Sequence, residues 1–262
     1  MKIEAILTPA ELPALAARDL RDAVYVVFDV LRATSTFVTA LHHGAKAIVP
    51  VPEIAVALAI REKQPDVLLG GERDGVRIRA AQTGGVDFDL GNSPREYTPE
   101  KVRGKTIVST TTNGTRALRA SAGAKTVLDA SFLNLTATAE FIKKIQPAHI
   151  VLVCAGTHEN TALEDVLAAG ELCEILLSKP LTPALSPLGR GEGVLQLSDS
   201  AEIVRRVYAQ AKPDLAGAVR TSENARRLLS IAQLRDDVAF CLQQDIFPLV
   251  AKMNADGAIH ST

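Results

Sequence analysis

Five short segments combine charged, hydroxyl and glycine residues in ways that suit anion binding, and most of them sit where an apolar run ends. The first, residues 29–36, reads Asp-Val-Leu-Arg-Ala-Thr-Ser-Thr. An aspartate closes the apolar run YVVF, an arginine follows, and three hydroxyl residues open a helix. Asp29 suits either a divalent cation or nucleophilic attack on phosphorus. Arg32 can make paired hydrogen bonds to an oxyanion. Thr34, Ser35 and Thr36 sit where the free N–H groups of a helix start attract an anion. The plainer alternative is that Thr34 or Ser35 caps the helix and Asp29 caps the turn. The second segment, 110–116, reads Thr-Thr-Thr-Asn-Gly-Thr-Arg. Asn113-Gly114 permits a left-handed turn that aims successive amides at a phosphate, with Thr111, Thr112, Thr115 and Arg116 adding donors. It reads equally as a tight turn with Thr115 as a helix cap, and it lacks the P-loop order of residues.

The remaining three segments are less specific. Gly70-Gly71-Glu72-Arg73 offers Glu72 as a second metal carboxylate, or is a surface turn. Gly91-Asn92-Ser93-Pro94 is a candidate substrate-facing turn. Cys154-Ala155-Gly156-Thr157 closes the run HIVLV, with Gly156 a candidate substrate contact, and Glu164-Asp165 follow in the first turn of a helix. Neighbouring helical residues point about 100° apart, so only one of Glu164 and Asp165 is expected to face the site. Cys154 reads as a small apolar residue, because no histidine is placed to activate it. His158 is near enough in sequence to donate a proton. No HxxxH or Cys/His spacing supports zinc, and carboxylates without zinc ligands favour Mg²⁺.

These residues need a frame that brings them together. Short apolar runs at 3–7, 23–28, 47–51, 66–69, 105–109, 126–128 and 149–153 predict strands. Several are continuous and rich in Val and Ile, as strands buried on both faces are. Between them, Phe37, Ala40, Leu41 and Gly44 recur at helical spacing. So do Leu135, Thr138, Ala139 and Ile142 after a cap at Asn134, and Leu163, Val166, Leu167, Gly170 and Cys173. The alternation predicts a three-layer α/β/α fold with a mixed sheet, in which ligands bind beyond the carboxyl ends of the strands. From about Ser198 the chain reads as almost wholly helical, with a helix start at Ser222-Glu223-Asn224. The stretch 179–193, KPLTPALSPLGRGEG, has no periodicity and reads as a flexible insertion within a single domain spanning 1–262.

Composition narrows the class. With 262 residues, 47% hydrophobic and 23% charged, the chain can build a core without disulfides. A formal net charge of -1 argues against bulk attraction to nucleic acid or to an anionic membrane, so local arginines and amides must meet an anionic ligand. Three widely spaced cysteines read as reduced thiols of a cytoplasmic protein. The first fifteen residues are broken by acids and prolines, unlike a secretion signal, and no run approaches the roughly 18 apolar residues of a membrane span.

At the same segments the sequence resembles the 2-phosphosulfolactate phosphatase family, the ComB-like proteins. The stretches are FDVLRATSTFVTAL (28–41), LLGGERDG (68–75), FDLGNSPREYTPE (88–100), GKTIVSTTTNGTRAL (104–118), CAGT…ALEDVLAAG (154–170) and RRLLSIAQLRDDVAFCLQQD (226–245). The resemblance implies Mg²⁺-dependent hydrolysis of (R)-2-phospho-3-sulfolactate to sulfolactate and phosphate, on the route to coenzyme M. On that expectation Asp29, Glu72, Glu164 and Asp165 supply metal ligands. Arg32 with Thr34–Thr36 holds one anionic group of a small phosphorylated substrate, and 111–116 holds another. A homo-oligomer is compatible with the reading. The alternatives are another enzyme on a small anionic phosphorylated metabolite, or a non-catalytic phosphometabolite-binding protein.

Overall fold

The computed structural model describes residues 1–18, 22–178 and 195–262, and the expected insertion at 179–193 lies outside the described residues. The described strands are β1 (Lys2–Ile6), β2 (Ala23–Phe28), β3 (Ala47–Pro50), β4 (Leu68–Arg73), β5 (Val76–Arg77), β6 (Thr106–Thr110), β7 (Thr126–Ala130), β8 (His149–Cys154), β9 (Gln196–Leu197), β10 (Ala251–Met253) and β11 (Ile259–Ser261). They form one mixed sheet in the order β5-β4-β6-β3-β11-β10-β7-β2-β8-β1-β9. All seven predicted strands are present. β2, AVYVVF, is buried along its whole length, as its continuous β-branched run requires. β4 runs further than the apolar run suggested, because Gly70 and Gly71 continue the parallel ladder opposite Ser109 and Thr110.

The first helices of the chain are α1 (Leu12–Ala16), α2 (Ala33–His42), α3 (Ile54–Lys63), α4 (Ala80–Thr83), α5 (Pro99–Val102) and α6 (Gly114–Ser121). They are followed by α7 (Leu135–Ile145), α8 (Leu163–Ser178), α9 (Asp199–Ala211), α10 (Leu215–Arg220), α11 (Glu223–Ser230) and α12 (Arg235–Cys241). One sheet face is covered by α7, α8, α9, α11 and α12, whose apolar stripes pack on Val26, Phe28, Leu128 and Leu152. The other is covered by α2 and α6 over Tyr25, Val27, Ile48, Ile107 and Val127. The fold is therefore three-layered, α/β/α. A smaller core under α3 holds the β4 edge.

The expectation of an almost wholly helical C-terminal portion is corrected at its end. β10 and β11 form an antiparallel hairpin that slots between β3 and β7. Each strand has three residues, too short to show a period of two, and the gap in the sheet rather than local propensity defines them. Three antiparallel steps separate β3 from β7, so the parallel sets β4-β6-β3 and β7-β2-β8-β1 run in opposite senses. They share one core around α2 and α6, and the twisted sheet curls about those helices.

Local caps explain several element ends. The Ser222 hydroxyl accepts from the Ala225 N–H at 3.2 Å, fixing the start of α11 where the sequence placed it. Asn134 precedes α7 as expected, but its side chain does not cap that helix. It accepts from Ser131 N–H at 3.0 Å and donates to the Leu249 carbonyl at 3.3 Å, tying the turn to the segment that enters β10.

Candidate active site

Asp29 follows the last residue of β2, and its position is over-determined. Its N–H donates to Thr34 Oγ1 at 3.2 Å, its carbonyl accepts from Thr34 N–H at 2.9 Å, and its Oδ1 accepts from Ala33 N–H at 3.2 Å. α6 begins against it. A Cβ on Gly114 would lie 2.7 Å from Asp29 Oδ2, so only glycine admits this approach. Burial pushes the Asp29 carboxyl up to about 7. The Ala33 N–H opposes that rise, the nearby Glu72 and Glu164 add to it, and the Gly114 N–H opposes it again.

Arg32, at the start of α2, is almost fully buried. Its Nη1 pairs with Asp237 on α12 at 2.8 Å, and its Nη2 donates to the Gly75 carbonyl at 2.5 Å. Ser93 Oγ donates to the other Asp237 oxygen at 2.7 Å, which makes the 91–94 turn part of the same network. These two bonds engage two of the five guanidinium N–H groups.

Glu72 ties two strand ends together. One oxygen accepts from Gly75 N–H at 2.7 Å, and the other from Thr112 N–H and Oγ1 at 2.9 and 3.0 Å. The result is a small cleft beyond the carboxyl ends of β2, β4, β6 and β8. Asp29, Arg32, Glu72, Thr112 and Asn113 line it together with Leu31, Asp74, Gly75, Asn92, Thr157, His158 and Arg227.

Several residues expected to hold the ligand do other work. Ser35 Oγ donates to the Val30 carbonyl at 2.8 Å, and Thr36 Oγ1 to the Asn92 carbonyl at 3.1 Å. With Thr34 bonded to Asp29, the Thr34 and Ser35 hydroxyls stabilise the turn that enters α2, Thr36 ties α2 to the 91–94 turn, and all three residues are buried. Thr111 and Thr115 bond each other: Thr115 N–H donates to Thr111 Oγ1 at 3.2 Å, and Thr115 Oγ1 to the Thr111 carbonyl at 2.7 Å. Arg116 points away from the cleft lining and pairs with the exposed Glu159 at 2.5 Å. Gly156 donates its N–H to Asp165 Oδ2 at 3.0 Å, while Asp165 Oδ1 accepts from Val30 N–H at 2.8 Å. Asp165 therefore staples the β2 turn to the β8 turn with both oxygens engaged. Burial, then Asp29 and Glu164, push its carboxyl well up against the pull of those two amides. Of the adjacent acids, Glu164 has the spare oxygen. Its Oε1 accepts from Asn224 Nδ2 at 2.9 Å, and its Oε2 is buried without a partner.

Three further residues have no individual role in the sequence reading. Arg227, on α11, lines the cleft, and Asp237, on α12, meets it only through Arg32; both depend on tertiary packing. Asp129, on β7, is buried with both oxygens unpartnered. Desolvation, then Asp29, push its carboxyl well above the usual range. An aspartate inside an otherwise apolar strand was a legible signal.

A cation fits this charge distribution. Three carboxylates act on one another around Asp29, and one buried Glu164 oxygen lacks a donor. Among the described residues no group of three or more His, Cys, Asp or Glu side chains forms a ready-made metal cage. Mg²⁺ commonly uses one or two carboxylates, with water and substrate oxygens completing its shell.

A profile of the 2-phosphosulpholactate phosphatase family matches residues 6–256. The chain belongs to this family. A probable 2-phosphosulfolactate phosphatase of Caldanaerobacter subterraneus subsp. tengcongensis is 38% identical over 238 residues, 90% of each chain. Proteins of the same printed name from Caldicellulosiruptor saccharolyticus and Clostridium acetobutylicum are 37% and 34% identical. These cover 89% and 95% of this chain, and 90% and 96% of their own. The phosphatase family match spans every strand end that contributes to the cleft. No described helix is long and apolar enough to cross a membrane.

Proposed function

We propose that the chain is a Mg²⁺-dependent phosphomonoester hydrolase that converts 2-phospho-3-sulfolactate and water to sulfolactate and phosphate. The observation that carries this reading is the convergence of Asp29, Arg32, Glu72, Thr112 and Asn113, from three separate strand ends, on one cleft. Family membership supplies the substrate. Asp29 and Glu164 would hold the metal, which supplies charge neutralisation at phosphoryl oxygens and a more acidic water. Arg32 directs its remaining N–H groups at the phosphoryl oxygens, and Asp237 keeps the guanidinium from swinging away. Glu72 holds the 72–75 and 112–113 turns at fixed separation, so that Asn113 and Thr112 stay at the cleft wall. The cytoplasm and the route to coenzyme M belong to the same reading. Three unpaired buried cysteines support a reducing compartment.

The test is phosphate release from 2-phospho-3-sulfolactate by purified protein, with Mg²⁺ and with EDTA. Turnover with Mg²⁺, abolished by EDTA and reduced at least about 100-fold by Asp29→Asn, is the expected result. Full activity in EDTA, or in the Asp29→Asn protein, would overturn the metal assignment. Consumption of the substrate only when an acceptor is added, with the phosphoryl group recovered on the acceptor and not as free phosphate, would make the protein a phosphotransferase.

A further inference from the structure

The two guanidinium groups of the cleft are not equivalent. Arg32 is neutralised by Asp237 at 2.8 Å. Arg227, half-buried on α11, has no carboxylate within ion-pair distance among the described residues, and its Nη2 meets only Asn224 Oδ1 at 3.1 Å. Most other described arginines, including Arg61, Arg77, Arg95, Arg116 and Arg205, are paired with acids. Asn224 is itself held, donating to Thr157 Oγ1 at 2.5 Å and to Glu164 at 2.9 Å, so it anchors the arginine without cancelling its charge. Gly75 presents no side chain toward Arg227: the guanidinium carbon lies 3.7 Å from where a Cβ would be. The same glycine accepts from Arg32 through its carbonyl, so the two arginines flank one backbone unit.

From this asymmetry we infer that Arg227 is a specificity-determining residue that binds a non-reacting acid group of the substrate, a carboxylate or a sulfonate. The inference rests on the hydrolase reading above. The phosphoryl group belongs beside Asp29 and Arg32, where the charge-compensating groups cluster. A second acid group on the same small molecule then meets the uncompensated cation on the other side of Gly75. A carboxylate or sulfonate offers two oxygens to the planar fork, and both classes satisfy the same donors.

The test compares kcat/KM of the wild type, Arg227→Ala and Arg227→Lys on four phosphomonoesters with Mg²⁺. These are 2-phospho-3-sulfolactate, phospholactate (no sulfonate), 2-sulfoethyl phosphate (no carboxylate) and ethyl phosphate (neither). Arg227→Ala is expected to lower the ratio of kcat/KM for 2-phospho-3-sulfolactate over ethyl phosphate by about 10- to 100-fold, mainly through KM. Lysine should restore only part of it, because an ammonium cannot reproduce the fork. The analogue whose rate falls with that of the full substrate identifies the group bound. Equal losses on all four compounds would overturn the inference, placing Arg227 on the phosphate or in the scaffold. If the wild type releases no phosphate from any compound, the hydrolase reading falls. Calorimetric binding of the same four compounds then decides the arginine's role by the same ratio.

Discussion

Gly114 is the smallest group on which the cleft depends. A methyl group there would sit 2.7 Å from Asp29 Oδ2 and 2.8 Å from Ala33 Cβ. Gly114→Ala should therefore displace the Asp29 carboxylate and lower kcat by about 100-fold, while costing only about 1–3 kcal/mol of stability by local overpacking. Steady-state assays beside a denaturant titration check both numbers. Asp29 also gives a pH signature. Its carboxyl is held at about 7 against an ordinary 3.8, so the folded chain binds the proton more tightly than the unfolded one. Stability from this group is complete below about pH 4 and is lost as pH rises through 7, with a total of up to about 4 kcal/mol. Asp129 and Asp165 are shifted in the same direction. The metal-free protein should melt at a lower temperature at pH 8 than at pH 5. Asp29→Asn should narrow that gap, and Mg²⁺ should raise the melting temperature more at pH 8, where the proton no longer competes. A melting temperature that is flat with pH in EDTA would contradict this account.

At the scale of elements, α12 and α2 are locked by the Arg32–Asp237 pair, whose side chains are 2% and 0% exposed. Asp237→Ala leaves a buried guanidinium without its counter-charge and should cost about 3–5 kcal/mol, read from the midpoint of chemical denaturation. Asp237→Asn keeps an acceptor for Ser93 and should cost less. These elements also show what could be read beforehand. β2, β6 and β8 were visible because strands covered on both faces need unbroken apolar runs, and their polar ends marked the cleft. The Thr34-Ser35-Thr36 run is equally conspicuous, yet its hydroxyls are bonded to the backbone at Asp29, Val30 and Asn92, since a buried hydroxyl must find a partner. Arg227 and Asp237 lie in a stretch that carries the family resemblance, yet their spacing assigns them no role, because their helices approach the site only through packing of distant segments. Glu164 and Asp165 are both buried beside Asp29 and neither lines the cleft; Asp165 bonds two backbone amides and Glu164 faces Asn224.

For the molecule as a whole, the decisive feature is the β10–β11 hairpin. Among the described strands it supplies the pairing that links β3 to β7, and Ala251 lies opposite the buried Asp129. Removing residues 251–262 should leave the sheet in two halves with open inner edges. The truncated protein is expected to lose cooperative thermal unfolding by circular dichroism and to aggregate. A truncated chain that still melts in one sharp step would show that the hairpin is dispensable.

The position of this hairpin has a bearing on biosynthesis. β10 and β11 follow every other described strand along the chain, so the edges of β3 and β7 stay unpaired until residues 251–261 have been made. During that interval the two open edges can recruit other extended segments, which makes late synthesis the aggregation-prone stage for this fold.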